Sequence, residues 1–113
     1  MLLDGKFNVQ GVGNINPLTA VATTADGGFV LACADGRTEK SAGGTNVDML
    51  GIFLDLEAIY PDIEFVDAYI LDGGGSTEMV LDNPNGHTFI TKNNPSDGKS
   101  RPIGDIIAVV IPK

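Results

Sequence analysis

Tryptophan is absent from this 113-residue chain, and histidine and cysteine occur once each. The single cysteine, Cys33, excludes an internal disulfide. It lies in the apolar run FVLACA and reads as a small buried hydrophobe. The lone histidine, His87, sits in NGHTFI and reads as an ordinary strand residue. No apolar run reaches the length that crosses a bilayer. The start, MLLDGKF, lacks the basic stretch and apolar run of a signal peptide. The expectation is therefore a cytoplasmic protein with no membrane partner. Positive charge is scarce, with 7 lysines and arginines against 15 acidic residues and a net charge of −8. Such a surface repels a phosphate backbone, so no nucleic-acid polymer is expected as partner. Only two of the cations are arginines, Arg37 and Arg101, and each stands in a polar loop.

What is present reads as an ordinary globular protein. Hydrophobic residues make up 42% and charged residues 19%, which is not a disordered composition. The length fits one domain, residues 1–113. Fifteen glycines are many for this length and point to tight turns.

LTAVATT, DGG and FVLACA read as a hairpin, with strands over Leu18–Thr24 and Phe29–Ala34. A polar loop follows. Thr45 with Asp48 resembles a helix N-cap with an acidic residue in the first turn. Met49, Leu50, Phe53, Leu54, Leu56 and Ile59 then recur at helical spacing, until Pro61 ends the helix. EFVDAYIL reads as a buried strand, and TEMVL, DNPNG and HTFIT as a second hairpin. After a long polar loop, IGDIIAVVIP reads as a final strand, apolar nearly throughout and so central in the sheet. The class expected is α+β: a mainly antiparallel sheet with one long helix packed on it.

The stretch AYILDGGGSTEMVL poses the functional question, because GGGS alone resembles a flexible linker. Its flanks are core strands only a few residues apart, which requires an ordered turn. Consecutive amides in such a turn can converge on an anion, and Ser76 and Thr77 add hydroxyls. A plain tight turn without a ligand explains the stretch equally well. The neighbouring loops bear on the choice. DGR ends one strand, LDGGGS ends another, and SDGKSRP precedes a third; both arginines lie among them. A guanidinium fork suits a carboxylate or a phosphate.

The ordered set DGR, SAGGT, LDGGGSTEM and NNPSDGKSRPIGDIIAVV resembles the phosphodiester glycosidase family, from about Asn16 onward. Its animal member uncovers mannose 6-phosphate by removing N-acetylglucosamine from a phosphodiester; bacterial and phage relatives are many. Two positions depart from the family pattern: Leu18 stands where PRTAIG has arginine, and Asp105 where RPVANAL has asparagine. A preceding NGGFF-like segment has no counterpart here, so the expectation is the C-terminal half of the family domain.

The resemblance implies hydrolysis of a sugar-1-phosphate diester or similar phosphorylated glycoside. Arg37, Arg101, Ser41, Asp97, Thr77, Ser76 and the amides of Gly73, Gly74 and Gly75 would hold the ligand. Asp72 and Asp35 are the candidate catalytic carboxylates, with Glu78 behind them. Asp72 could instead cap the glycine turn, and Glu78 could be a surface residue. No cofactor is expected and no metal site is assigned. The alternative is a non-catalytic protein that sequesters a phosphate-bearing sugar or nucleotide, such as a phage-encoded sponge for a nucleotide signal; a structural module of a larger phage protein is a third reading. Half a domain would expose sheet edges, so a homo-oligomer with the site near the interface is expected.

Overall fold

The computed structural model describes residues 2–3, 6–7, 11–85 and 88–112. Seven strands and one α-helix follow the order β1 (Leu2–Leu3), β2 (Lys6–Phe7), β3 (Leu18–Thr24), β4 (Phe29–Ala34), α1 (Asn46–Ile59), β5 (Phe65–Ile70), β6 (Val80–Asn83) and β7 (Thr88–Thr91). This is an α+β fold, with antiparallel pairing throughout. The helix has 14 residues, which is near the usual length rather than long. The strands divide between a five-stranded sheet, in the order β2-β1-β5-β3-β4, and a separate β6-β7 hairpin, where one sheet was expected.

Strand β3 lies between β5 and β4 and turns one face to the core, because its alternation is strict. Leu18, Ala20 and Ala22 are buried while their neighbours are more open. Those positions face α1, and Ala68 of β5 lies beside them. The small alanines bring the helix close to the sheet, and Met49 and Phe53 fill the space from the helix side. Phe53 meets Phe65 edge to face at 5.0 Å and 64°, worth about 0.5–1.5 kcal/mol beyond burial.

The helix termini follow local rules. Thr45 and Asp48 form a capping box: the Asp48 amide donates to the Thr45 hydroxyl at 3.3 Å, and the Thr45 amide to the Asp48 carboxylate at 2.7 Å. At the other end Tyr60 precedes Pro61 and leaves the helical region, with φ −120° and ψ 87°. The Glu57 carboxylate accepts from the Phe65 amide at 2.7 Å and ties the helix to the start of β5.

Three expectations are corrected. The apolar run 103–112 is not a central strand. It belongs to no strand, and Ile106, Val110 and Ile111 are among the most exposed apolar residues. Its composition signals a demand for burial, but a central strand also needs two flanking strands, and β5 and β3 are already paired on both sides. Leu54 and Ile59 lie on the open side of the helix and only Met49, Leu50 and Phe53 are buried, because α1 is apolar around much of its circumference while the sheet covers one side. Cys33 is half-buried rather than buried, since β4 is an edge strand; that partial burial is still enough to push its thiol pKa up.

Antiparallel pairing sets the functional geography. Leu18 pairs with Ala34 and Ala20 with Ile70. The start of β3, the end of β4 and the end of β5 therefore lie at one edge of the sheet. The loops that leave that edge are DGR and LDGGGS.

Candidate anion site

The segment before β3 is the foundation on which both loops rest. The Pro17 carbonyl accepts from the Gly74 amide at 3.0 Å. A Cβ on Gly73 would lie 2.6 Å from that same carbonyl oxygen, so only glycine allows this approach. Residues 74–76 then close one turn of 3-10 helix, with the Ser76 amide donating to the Gly73 carbonyl at 3.2 Å and the Thr77 amide to the Gly74 carbonyl at 3.2 Å. The glycine stretch is an ordered turn bonded to the start of β3. It is not a linker.

Arg37 arrives from the β4 side. Its backbone is left-handed, with φ 53°, a conformation uncommon for a residue with a side chain. Its guanidinium donates to the Asn16 side-chain oxygen at 2.6 Å and lies beside Gly74, where a Cβ would sit 3.5 Å from it. Arg101 arrives from the opposite side in sequence. A methyl group on Gly75 would overlap its guanidinium and lie 3.2 Å from the Asp97 carboxylate. Arg101 and Asp97 are 3.9 Å apart and about half exposed, at 51% and 54%, so their pairing is a loose surface contact. Both arginines thus border adjacent residues of one turn.

The loop that carries Arg101 is fastened at three places. The Asn93 side chain accepts from the Met79 amide at 2.8 Å and donates to the Thr77 carbonyl at 3.0 Å. The Asp35 carboxylate accepts from the Asn94 amide at 2.9 Å. The Glu78 carboxylate accepts from the Ser100 hydroxyl at 2.5 Å and from the Thr91 hydroxyl at 3.0 Å. Within this loop the Ser96 hydroxyl is buried without a hydrogen-bond partner among the described residues.

The expected site residues fall into two groups. Arg37, Arg101, Asp97 and Asp72 are exposed around the turn, and Ser76 and Gly75 within it are partly so. Asp72 is exposed, and one of its oxygens accepts from the Gly73 amide at 2.9 Å, which is the capping role. The Gly73 and Gly74 amides are both used internally, whereas no hydrogen bond among the described residues involves the Gly75 amide. Thr77 is buried, at 1%, and accepts from the Thr19 hydroxyl at 3.3 Å, so it supports the turn from beneath. Ser41 also supports a loop: its hydroxyl donates to the Asp35 carbonyl at 2.7 Å and accepts from the Gly43 amide at 3.3 Å. His87 lies outside the described residues. Leu18 is a core residue, 6% exposed.

Asn16, Pro17, Asn93 and Ser100 were not singled out from sequence. Asn93 had one available signal, since an Asn-Asn-Pro triplet next to a site loop invites side-chain-to-backbone bonding. Among the described residues no group of three His, Cys, Asp or Glu side chains could hold a metal ion. Among the described residues no helix is long and apolar enough to cross a membrane.

The chain is 33% identical over 97 residues to an SPbeta prophage-derived uncharacterized protein, YomE, of Bacillus subtilis (strain 168). That match covers 86% of this chain but 13% of the relative, so the chain spans a small part of that protein's length. No solved structure matches the chain. The family model for phosphodiester glycosidase matches residues 1–110, including the first fifteen residues, which the motifs alone did not reach. The chain belongs to the phosphodiester glycosidase family.

Proposed function

We propose that the turn at residues 72–76 binds the phosphate of a sugar-1-phosphate diester and that the protein hydrolyses the glycosidic bond. The observation that carries this reading is the placement of both arginines of an acidic chain against adjacent glycines of one turn. An anion seated there would meet two guanidinium forks, the Gly75 amide and the Ser76 hydroxyl.

In the reaction the bond between the anomeric carbon and the phosphate oxygen breaks. The electron pair leaves with the phosphate as a monoester, and water adds to the anomeric carbon and gives up a proton. The leaving group is weakly basic, so the main demands are stabilising the departing phosphate and orienting water. Asp72 suits the second task best, because it is exposed and one of its oxygens has no partner among the described residues. Asp35 and Glu78 already accept hydrogen bonds from the Arg101 loop and its neighbours.

A second reading, capture of a phosphorylated sugar or nucleotide without cleavage, is favoured by Leu18. It is a core residue where the resemblance has an arginine. Titration calorimetry with sugar-1-phosphate diesters, followed by product analysis, separates the two. Turnover lost in Asp72→Asn with binding kept supports hydrolysis, and a ligand recovered intact from the parent protein supports capture. We further propose that a second copy covers part of the exposed apolar surface, so light scattering is expected to give a homo-oligomer; a stable monomer at micromolar concentration refutes that part.

A further inference from the structure

Glu78 has the chemistry of a glycosidase carboxylate, but its contacts point to different work. A single oxygen of its carboxylate accepts from two hydroxyls, Ser100 at 2.5 Å and Thr91 at 3.0 Å. Ser100 immediately precedes Arg101. Glu78 lies three residues beyond Gly75, the glycine against which the Arg101 guanidinium rests. One carboxylate therefore joins the end of the glycine turn, the β7 strand and the residue next to the arginine.

We propose that Glu78 is a positioning residue: it holds Ser100, and through Ser100 it sets Arg101 against Gly75. The geometry makes this necessary. Arg101 is half exposed, and its Asp97 contact at 3.9 Å is too long to fix a guanidinium. The Asn93 clamp secures the start of the loop, seven residues earlier than Ser100. Without the Glu78–Ser100 bond, no side-chain hydrogen bond among the described residues ties the segment from 95 to 101 to the turn near the arginine. The value of Arg101 to an anion depends on being held in place beforehand, because ordering it at the moment of binding subtracts from affinity. This inference deepens the anion-site reading and rests on it for function, but the positioning itself can be measured without any ligand.

The chain has two arginines, so a side-chain Nε–Hε nitrogen–proton spectrum contains two arginine signals, assignable with Arg37→Lys. Glu78→Ala should move the Arg101 signal toward that of a free, mobile arginine and leave the Arg37 signal in place. Glu78→Gln keeps a carbonyl oxygen that can accept from both hydroxyls, so it should preserve the parent spectrum. Ser100→Ala cuts the same contact from the exposed side and should match Glu78→Ala, and the double variant should be no worse than either. Inorganic phosphate titrated into each protein should bind about fivefold or more weakly to Glu78→Ala and Ser100→Ala, the loss expected for one hydrogen bond's worth of ordering. It should bind near the parent value to Glu78→Gln. An unchanged Arg101 signal in both alanine variants overturns the proposal, as does a glutamine variant as impaired as alanine, which would mean the charge itself is needed. If phosphate binds to no variant and not to the parent, the anion-site reading fails, and the arginine spectra still decide the positioning.

Discussion

Three consecutive glycines should respond to alanine in three different ways, because each Cβ would meet something different. At Gly73 it would lie 2.6 Å from the Pro17 carbonyl oxygen. That atom belongs to the backbone leading into β3 and already accepts from the Gly74 amide. Neither side can yield without moving the turn off the sheet. Overpacking of this kind costs about 1–3 kcal/mol, which lowers the melting temperature by roughly 4 °C per kcal/mol for a chain of this size. At Gly74 there is room, but φ is +61°, so alanine carries the left-handed penalty of about 1–2 kcal/mol. At Gly75 φ is unremarkable and the obstacle is the tip of Arg101, a half-exposed side chain with solvent to move into. The arginine can swing aside, and the stability change should stay within about 0.5 kcal/mol.

At Gly75 binding and stability should part company. Gly75→Ala leaves the fold intact but takes the place of the Arg101 guanidinium. If that guanidinium makes a charge-assisted bond to the anion, worth about 1.5–3 kcal/mol, affinity for phosphate should fall roughly ten- to a hundredfold. The assay is thermal unfolding and phosphate titration on the three single variants. Two results would refute the reasoning: a Gly75→Ala protein as unstable as Gly73→Ala, or one that binds phosphate like the parent.

Other outcomes follow from individual contacts. Replacing either Arg37 or Arg101 with alanine should weaken phosphate binding by about ten- to a hundredfold, and lysine should restore it only in part because a point charge lacks the fork; parent-like calorimetry for both alanine variants would remove the anion site. The Asp48 carboxyl is held below the usual range by the Thr45 amide and then by the Thr45 hydroxyl. Its folded value is depressed, so its contribution is complete above the ordinary aspartate pKa and disappears as pH falls through the lower folded value. Asp48→Asn should accordingly melt earlier than the parent at pH 7, and the difference should shrink as pH falls below the ordinary aspartate pKa. Burial pushes the Cys33 thiol up, against a smaller opposing hydrogen bond with Thr19 and with a still smaller push from the Asp35 charge. It should alkylate more slowly at pH 8 than a free thiol, and equal rates would contradict its placement. Phe53→Ala removes a buried ring packed on Phe65 and should cost about 3–5 kcal/mol by chemical denaturation.

Local signals carried much of the fold. The strands over Leu18–Thr24 and Phe29–Ala34 coincide with the run between Pro17 and the Asp-Gly-Gly turn and with FVLACA, because a short turn leaves little freedom in where the strands begin. The helix begins after Thr45 and stops before Pro61 for reasons present in a few residues at each end. The run 103–112 misled because apolar content reports that a segment favours burial without naming what would bury it. The same limit applies to Ser41 and Thr77. Their hydroxyls read as ligand donors, but whether a hydroxyl faces a loop carbonyl, a buried threonine or open solvent depends on how other segments pack around it.

The arginines were legible for a reason more general than this fold. In a chain with net charge −8, an anion can approach only where donors outnumber acidic neighbours locally. A surface arginine can serve solubility anywhere, and two independent ones have no reason to meet. These two come from loops 64 residues apart in sequence, 37 to 101, and end beside neighbouring glycines. Antiparallel register brings the first to the turn, since β4 ends where β3 begins and β5 ends alongside. The β6–β7 hairpin returns the chain to Met79 just beyond the turn, and side-chain bonds from Asp35, Asn93 and Glu78 hold the loop that carries the second from there. Arg37 therefore depends on the sheet, while Arg101 depends on three polar contacts that can each be removed without touching the core. Weakening those contacts should loosen Arg101 with little change in melting temperature, and a variant that unfolds in proportion to its loss of anion affinity would show that the two arginines are held by the same cooperative unit instead.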